Sequence, residues 1–105
     1  METTVVHCRR DEYDVLICRP SKWGNPYTHL ADRTTRAEHV VASRREAIAK
    51  YRAHVLARPD LLAALDELRG KRLGCWCFPK ACHGDVLVAL LAERDKNTYS
   101  LPLPL

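Results

Sequence analysis

Short alternating runs of apolar and polar residues open the chain, and helical spacing takes over in its second half. Residues 3–8 and 13–18 are rich in Val and Ile and flank the charged segment Arg9-Arg10-Asp11-Glu12. They predict two strands joined as a hairpin, although no Asn-Gly or Gly-Gly pair marks a tight turn. Residues 19–27 read Arg-Pro-Ser-Lys-Trp-Gly-Asn-Pro-Tyr and predict a structured loop. Periodicity is weak over residues 28–42, where Thr35 and Glu38 are spaced to cap a short helix.

Ser43 and Glu46 then form a capping-box pattern, and Ala47, Ile48, Tyr51, Val55 and Leu56 recur at helical spacing up to Pro59. Asp60 is placed to cap a second helix, whose stripe of Leu61, Leu62, Leu65 and Leu68 ends at Gly70. Residues 71–77 predict a strand with Leu73, Cys75 and Cys77 on one face and Arg72, Gly74 and Trp76 on the other. A last helix is expected over residues 83–93, with Val86, Leu87, Leu90 and Leu91 inward. Two prolines make residues 95–105 an extended tail.

The order strand, strand, helix, helix, strand, helix implies an α/β fold. It is a small single domain, residues 1–94, with a short sheet of about three strands covered by about three helices. No internal repeat or low-complexity segment interrupts it.

Composition adds exclusions. At 105 residues, with 47% hydrophobic and 29% charged residues, the chain suits one ordered domain. Its longest apolar run, residues 86–92, is far short of the roughly 20 residues that cross a bilayer. Charges appear too early for a signal-peptide core, so a cytoplasmic, non-membrane protein is expected. Seventeen Lys and Arg against 13 Asp and Glu give +4, mildly basic. The excess concentrates in Arg33, Arg36, Arg44, Arg45, Lys50 and Arg52, against Glu38 and Glu46. That surface can face nucleic-acid phosphates or simply be a solvated face. No feature specifies an oligomer.

Five cysteines, an odd number, favour reduced thiols over a disulfide framework. Cys8 and Cys18 lie singly in apolar stretches and read as small buried hydrophobes. Cys75, Cys77, Cys82 and His83 match the ligand types of a Cys3His zinc site, but their spacing is tighter than the usual two to four intervening residues. No cofactor is therefore expected, with zinc on those four residues as the alternative. Without metal, the strand-to-helix turn suits an anionic ligand, because free N–H groups and the helix dipole gather there. Cys82 as a thiolate, His83 as acid or base, and Asp85 orienting His83 or a substrate hydroxyl are then the candidate catalytic residues. Asp85 serves equally as a favourable charge in the first helical turn.

In the earlier loop, Arg19 offers a planar fork, Asn25 an amide, Trp23 and Tyr27 stacking faces, and Gly24 room for close approach. The competing role is a rigid loop plugging the sheet with Trp23. If the second and third strands run side by side in one direction, this loop and residues 77–85 meet at one sheet edge in a single pocket.

Residues 19–27 and the segment Gly74-Cys-Trp-Cys-Phe-Pro-Lys-Ala-Cys-His-Gly-Asp85 together resemble domain of unknown function family 4326 of bacteria and phages. The similarity extends through residues 7–9, 43–51 and 68–71. One departure is Cys18, where the family tends to have glycine before the arginine. The resemblance implies a shared fold and a site built from both segments, and no activity.

The reading that follows is a domain binding or processing a nucleotide-like or phosphorylated small molecule. Arg19, Trp23, Gly24, Asn25, Cys75 and Cys77 would line its site. The alternative is a zinc-stabilised nucleic-acid-binding or protein-interaction module. Nothing in the pattern separates an enzyme from a binder.

Overall fold

In the computed structural model, which describes residues 2–19, 21–28 and 39–95, the strand order is set by the third expected strand. Strands β1 (Thr4–His7) and β2 (Val15–Leu16) both pair in parallel with β5 (Arg72–Cys75), giving the order β1-β5-β2. Val5 and Val15 flank Leu73 on its two sides, and Val6 and Leu16 flank Gly74. The expected hairpin is therefore absent. Residues 8–14 carry the chain from the carboxyl end of β1 to the amino end of β2, and β5 occupies the place between them.

Alternation marks a strand but not its neighbour, and the backbone groups beyond the ladder show why the parallel arrangement holds. Cys8 N–H donates to Cys75 O (3.1 Å), Asp14 N–H to Arg72 O (2.9 Å) and Ile17 N–H to Gly74 O (3.1 Å). Asp14 also accepts from the Arg72 backbone (2.8 Å) and guanidinium (3.2 Å), fixing the start of β2 against the start of β5.

Leu73, Gly74 and Cys75 are all buried, as a central parallel strand requires. Gly74 is needed here for space: a Cβ would lie 2.8 Å from the Tyr13 ring and 3.2 Å from Cys8 Cβ. The crossing segment thus closes one face of β5. The strand stops at Cys75, so Trp76 and Cys77 belong to the following turn.

The helices largely follow the apolar stripes. Helix α1 (Arg44–Leu56) starts where Ser43 Oγ accepts the Glu46 N–H (3.1 Å), while Glu46 accepts the Ala42 N–H (3.2 Å). The capping box closes one residue earlier than its usual form. Ala47, Tyr51 and Val55 form its buried face. Arg58 occupies the N-cap position of helix α2 (Pro59–Ala64) without a side-chain cap bond, and Pro59 takes the first helical position. Asp60 does not cap it; its carboxylate pairs with Arg58 (2.7 Å). A 3-10 turn over Leu65–Leu68 continues the stripe, and the run ends at Gly70, whose φ is 71°.

Helix α3 (His83–Asp95) buries Val86, Leu87, Leu90 and Leu91 as expected. Arg52 of α1 holds Glu93 of α3 through two bonds of 2.8 and 2.6 Å. Two short strands, β3 (Tyr27–Thr28) and β4 (His39–Val40), pair in parallel apart from the main sheet. The expected short helix near Thr35, the cations Arg33 and Arg36, and tail residues 96–105 lie outside the described residues.

A candidate metal centre at the carboxyl edge of the sheet

Three parallel strands deliver their carboxyl ends to one edge, where open α/β sheets place ligands. His7 ends β1, Ile17 and Cys18 follow β2, Cys75 ends β5, and the 76–82 turn returns the chain to the start of α3. Within that turn the Phe78–Pro79 peptide is cis, and Lys80 N–H donates to Cys77 O (2.7 Å). Arg44, at the start of α1, donates to Ala81 O (3.3 Å).

The turn brings Cys82 and His83 beside Cys75. One donor atom from each of these residues lies within 4.8 Å of the others. All three residues are buried, at 1% exposed for Cys75, 3% for Cys82 and 8% for His83, so the cluster belongs to the interior. Gly84 makes this approach feasible, since a Cβ there would come within 2.8 Å of Ile17 and 2.9 Å of Val5.

Each donor is oriented from behind. His83 Nε2 lies 2.7 Å from Ile17 O, which fixes the hydrogen on Nε2 and leaves the Nδ1 lone pair for the cluster. The His83 ring also meets the Tyr51 ring edge-on at 4.9 Å. Cys82 Sγ accepts the Gly84 N–H (3.3 Å). Asp85 accepts the Cys82 N–H (3.1 Å), and Cys82 O accepts the Asp85 N–H (3.0 Å), a reciprocal cap at the start of α3.

Cys75 is the hub. Its sulfur has the thiols of Cys18, Cys77 and Cys82 and the His83 ring as its neighbours. Those neighbours hold the Cys75 thiol far below its ordinary pKa, while Cys18, Cys77 and Cys82 are pushed up by hydrogen bonding to Cys75 and by burial. All five cysteines are free thiols.

The model of the family described as Domain of unknown function (DUF4326) matches residues 5–93. The chain belongs to this family. It is also similar, at 31% identity over 97 residues, to an uncharacterized 12.4 kDa protein in the nrdA-td intergenic region of Enterobacteria phage T4. That match covers 92% of this chain and 84% of the phage protein. A second relative, an uncharacterized protein of Acanthamoeba polyphaga mimivirus, is 33% identical over 87 residues. There the match covers 75% of this chain and 59% of the relative's length. No solved structure matches.

The second expected segment of this DUF4326 domain sits behind the cluster. Trp23 is 2% and Asn25 6% exposed. Asn25 donates to Ala47 O (3.1 Å) and accepts the Tyr27 N–H (2.9 Å), so its amide ties β3 to α1. Arg19 donates to Asn25 O, and the room at Gly24 is taken by the Arg19 side chain and backbone. Tyr51 OH donates to Trp23 O (2.7 Å), so Trp23, Tyr51 and His83 form a physical link between the two segments.

Tyr51 was legible only as a core position, Ile17 only as part of an apolar strand-like stretch, and Cys18 only as a buried hydrophobe. Cys8 is half-buried and donates its N–H to Cys75 O. The basic stretch divides: Arg52 serves Glu93, Arg44 serves the turn, and Lys50 lies 5.8 Å from the Tyr27 ring. Among the described residues, no helix is long and apolar enough to cross a membrane.

Proposed function

We propose that this DUF4326 chain is a metal-stabilised binding module. In this reading Cys75, Cys82 and His83 hold one zinc ion and Cys77 completes the site. The carrying observation is the mutual approach of three buried donors to within 4.8 Å. Two thiolates and an imidazole suit zinc, a borderline-soft ion that takes four ligands in tetrahedral geometry. With Zn–S bonds of about 2.3 Å, tetrahedral sulfurs stand about 3.8 Å apart, so a small inward shift closes the observed triangle around one ion.

The supporting shell points the same way. A ligating His commonly gives its other N–H to a carbonyl, as His83 does to Ile17. Cys77 lies in the turn between the ligands and its thiol neighbours Cys75, which makes it the fourth donor in this reading. Cys18 instead donates its thiol hydrogen to Gly74 O (3.6 Å) and sits at the end of a sheet strand. The polar groups of Arg19 and Asn25 that a phosphorylated small molecule would need are used within the protein, which favours the metal reading. A reducing, cytoplasmic setting that keeps the thiols available belongs to this reading.

The test is metal analysis of full-length protein prepared with zinc and never exposed to chelator, followed by cobalt exchange. We expect about one zinc per chain and cobalt absorption bands of a tetrahedral thiolate site. His83→Ala and Cys82→Ser lose the metal, whereas Cys8→Ser keeps it. A folded wild-type protein that takes up neither zinc nor cobalt overturns the reading.

A further inference from the structure

The segment joining β1 to β2 separates its charges. Its acidic end reaches the amino edge of the sheet, where Arg72 meets Asp14 (3.2 Å) and Glu12 (3.8 Å). Asp11 turns back to accept the His7 N–H (3.0 Å). Arg9 and Arg10 remain near the carboxyl end of β1. Among the described residues neither has a carboxylate partner, and the same is true of Lys80 in the neighbouring turn.

Trp76, the first residue beyond β5, stands beside Arg9. It is 54% exposed, whereas the other tryptophan, Trp23, is buried. The Arg9 guanidinium lies 4.8 Å from the Trp76 ring centroid, and the His7 ring meets Trp76 edge-on at 6.0 Å. Phe78, two residues further along the turn, is 40% exposed. Large aromatic side chains left in water carry information that scattered small apolar residues do not. Here one of them meets the Arg9 guanidinium, and Arg10 and Lys80 lie close by along the chain.

We propose that this edge is a platform for single-stranded nucleic acid. Unpaired bases stack on Trp76 and Phe78, and Arg9, Arg10 and Lys80 neutralise the adjacent phosphates. Aromatic faces within a cationic surface are the means by which proteins hold single strands without reading sequence. A duplex does not satisfy the surface in this way, because its base faces are already stacked on one another. The platform rests on exposed side chains and not on the metal reading, although the turn that carries it runs between Cys75 and Cys82.

The experiment is a fluorescence-anisotropy titration of labelled oligothymidylate, oligouridylate and a DNA duplex of equal length, roughly twelve nucleotides. It uses the full-length protein at about 50 and about 200 mM salt. Saturable binding of at least one single strand, and binding of the duplex about tenfold weaker, are expected; the two single-stranded arms separate DNA from RNA as the source.

Trp76→Ala should weaken binding about tenfold and Trp76→Phe much less. Arg9→Ala should weaken binding and reduce its salt dependence. Lys71→Ala, at the opposite edge, serves as the control and should change little. Thermal unfolding confirms that each variant is folded, and parallel metal analysis keeps a failure of the platform distinct from a failure of the zinc site. No saturable binding, equal affinity for duplex, an unchanged Trp76→Ala variant, or an equal loss in Lys71→Ala overturns the proposal.

Discussion

Replacing Tyr51 by Phe tests whether the two segments are joined through this side chain. Tyr51 is fully buried, and its hydroxyl donates to Trp23 O at 2.7 Å, inside a loop whose Trp23 is itself only 2% exposed. The substitution keeps the ring, and with it the edge contact to His83 at 4.9 Å. What it removes is a hydrogen bond whose acceptor then stays buried and unpaired.

Leaving a buried carbonyl unsatisfied costs roughly 1–3 kcal/mol, and the short, enclosed geometry argues for about 2 kcal/mol. For a domain near 100 residues that is a fall in Tm of about 8–12 °C. The assay is two-state thermal and urea unfolding of both proteins, with Tyr13→Phe as a control. Tyr13 is 42% exposed, so its control substitution should stay within about 0.5 kcal/mol. Metal content should match wild type, because the ring edge behind His83 is retained. A Tm shift below about 2 °C, or one no larger than the control's, would refute the idea that this hydroxyl anchors the loop.

Two further outcomes follow from particular contacts. Gly74→Ala places a methyl group 2.8 Å from the Tyr13 ring and should cost about 1–3 kcal/mol in urea unfolding. Part of that loss should return in the Gly74→Ala, Tyr13→Ala double variant; complete additivity would show that the Tyr13 contact is not the cause. Hydrogen bonding from Arg72 lowers the Asp14 pKa below its ordinary 3.8. Because the folded-state pKa is depressed, its stabilisation is present above pH 3.8 and fades as pH falls through the lower folded value. The Tm difference between wild type and Asp14→Asn should accordingly shrink across that acidic window, and a difference that is flat with pH would contradict the pairing.

Most of the local structure can be read from the order of residues, because local structure follows spacing and caps. The stripe Ala47, Tyr51, Val55 and the Ser43–Glu46 pattern define α1, and the leucines ending at Gly70 define the next helical run. The family resemblance carried by the two loop segments was equally legible, since it depends on residue identity along the chain. The α/β class followed from the order of those elements.

Which elements lie side by side is a matter of long-range packing. Residues 3–8 and 13–18 are close in sequence and similar in pattern, which favoured a hairpin. β5 nevertheless enters between them, because its unbroken buried run satisfies both edges and both faces at once. Asp60 looked like a cap, but Pro59 already fitted the first helical position and left Arg58 at the N-cap position, with no side-chain cap bond.

The site divides in the same manner. Cys75, Cys82 and His83 were candidates from their chemistry, and the parallel strands that bring two loops to one edge were anticipated. The donor geometry was not. A ring nitrogen's free lone pair depends on the carbonyl of Ile17, 66 positions away, and a thiol's burial depends on Gly84 closing against Val5 of β1 and Ile17 just beyond β2. Spacing specifies which side chains a segment offers; long-range packing specifies the atoms they face.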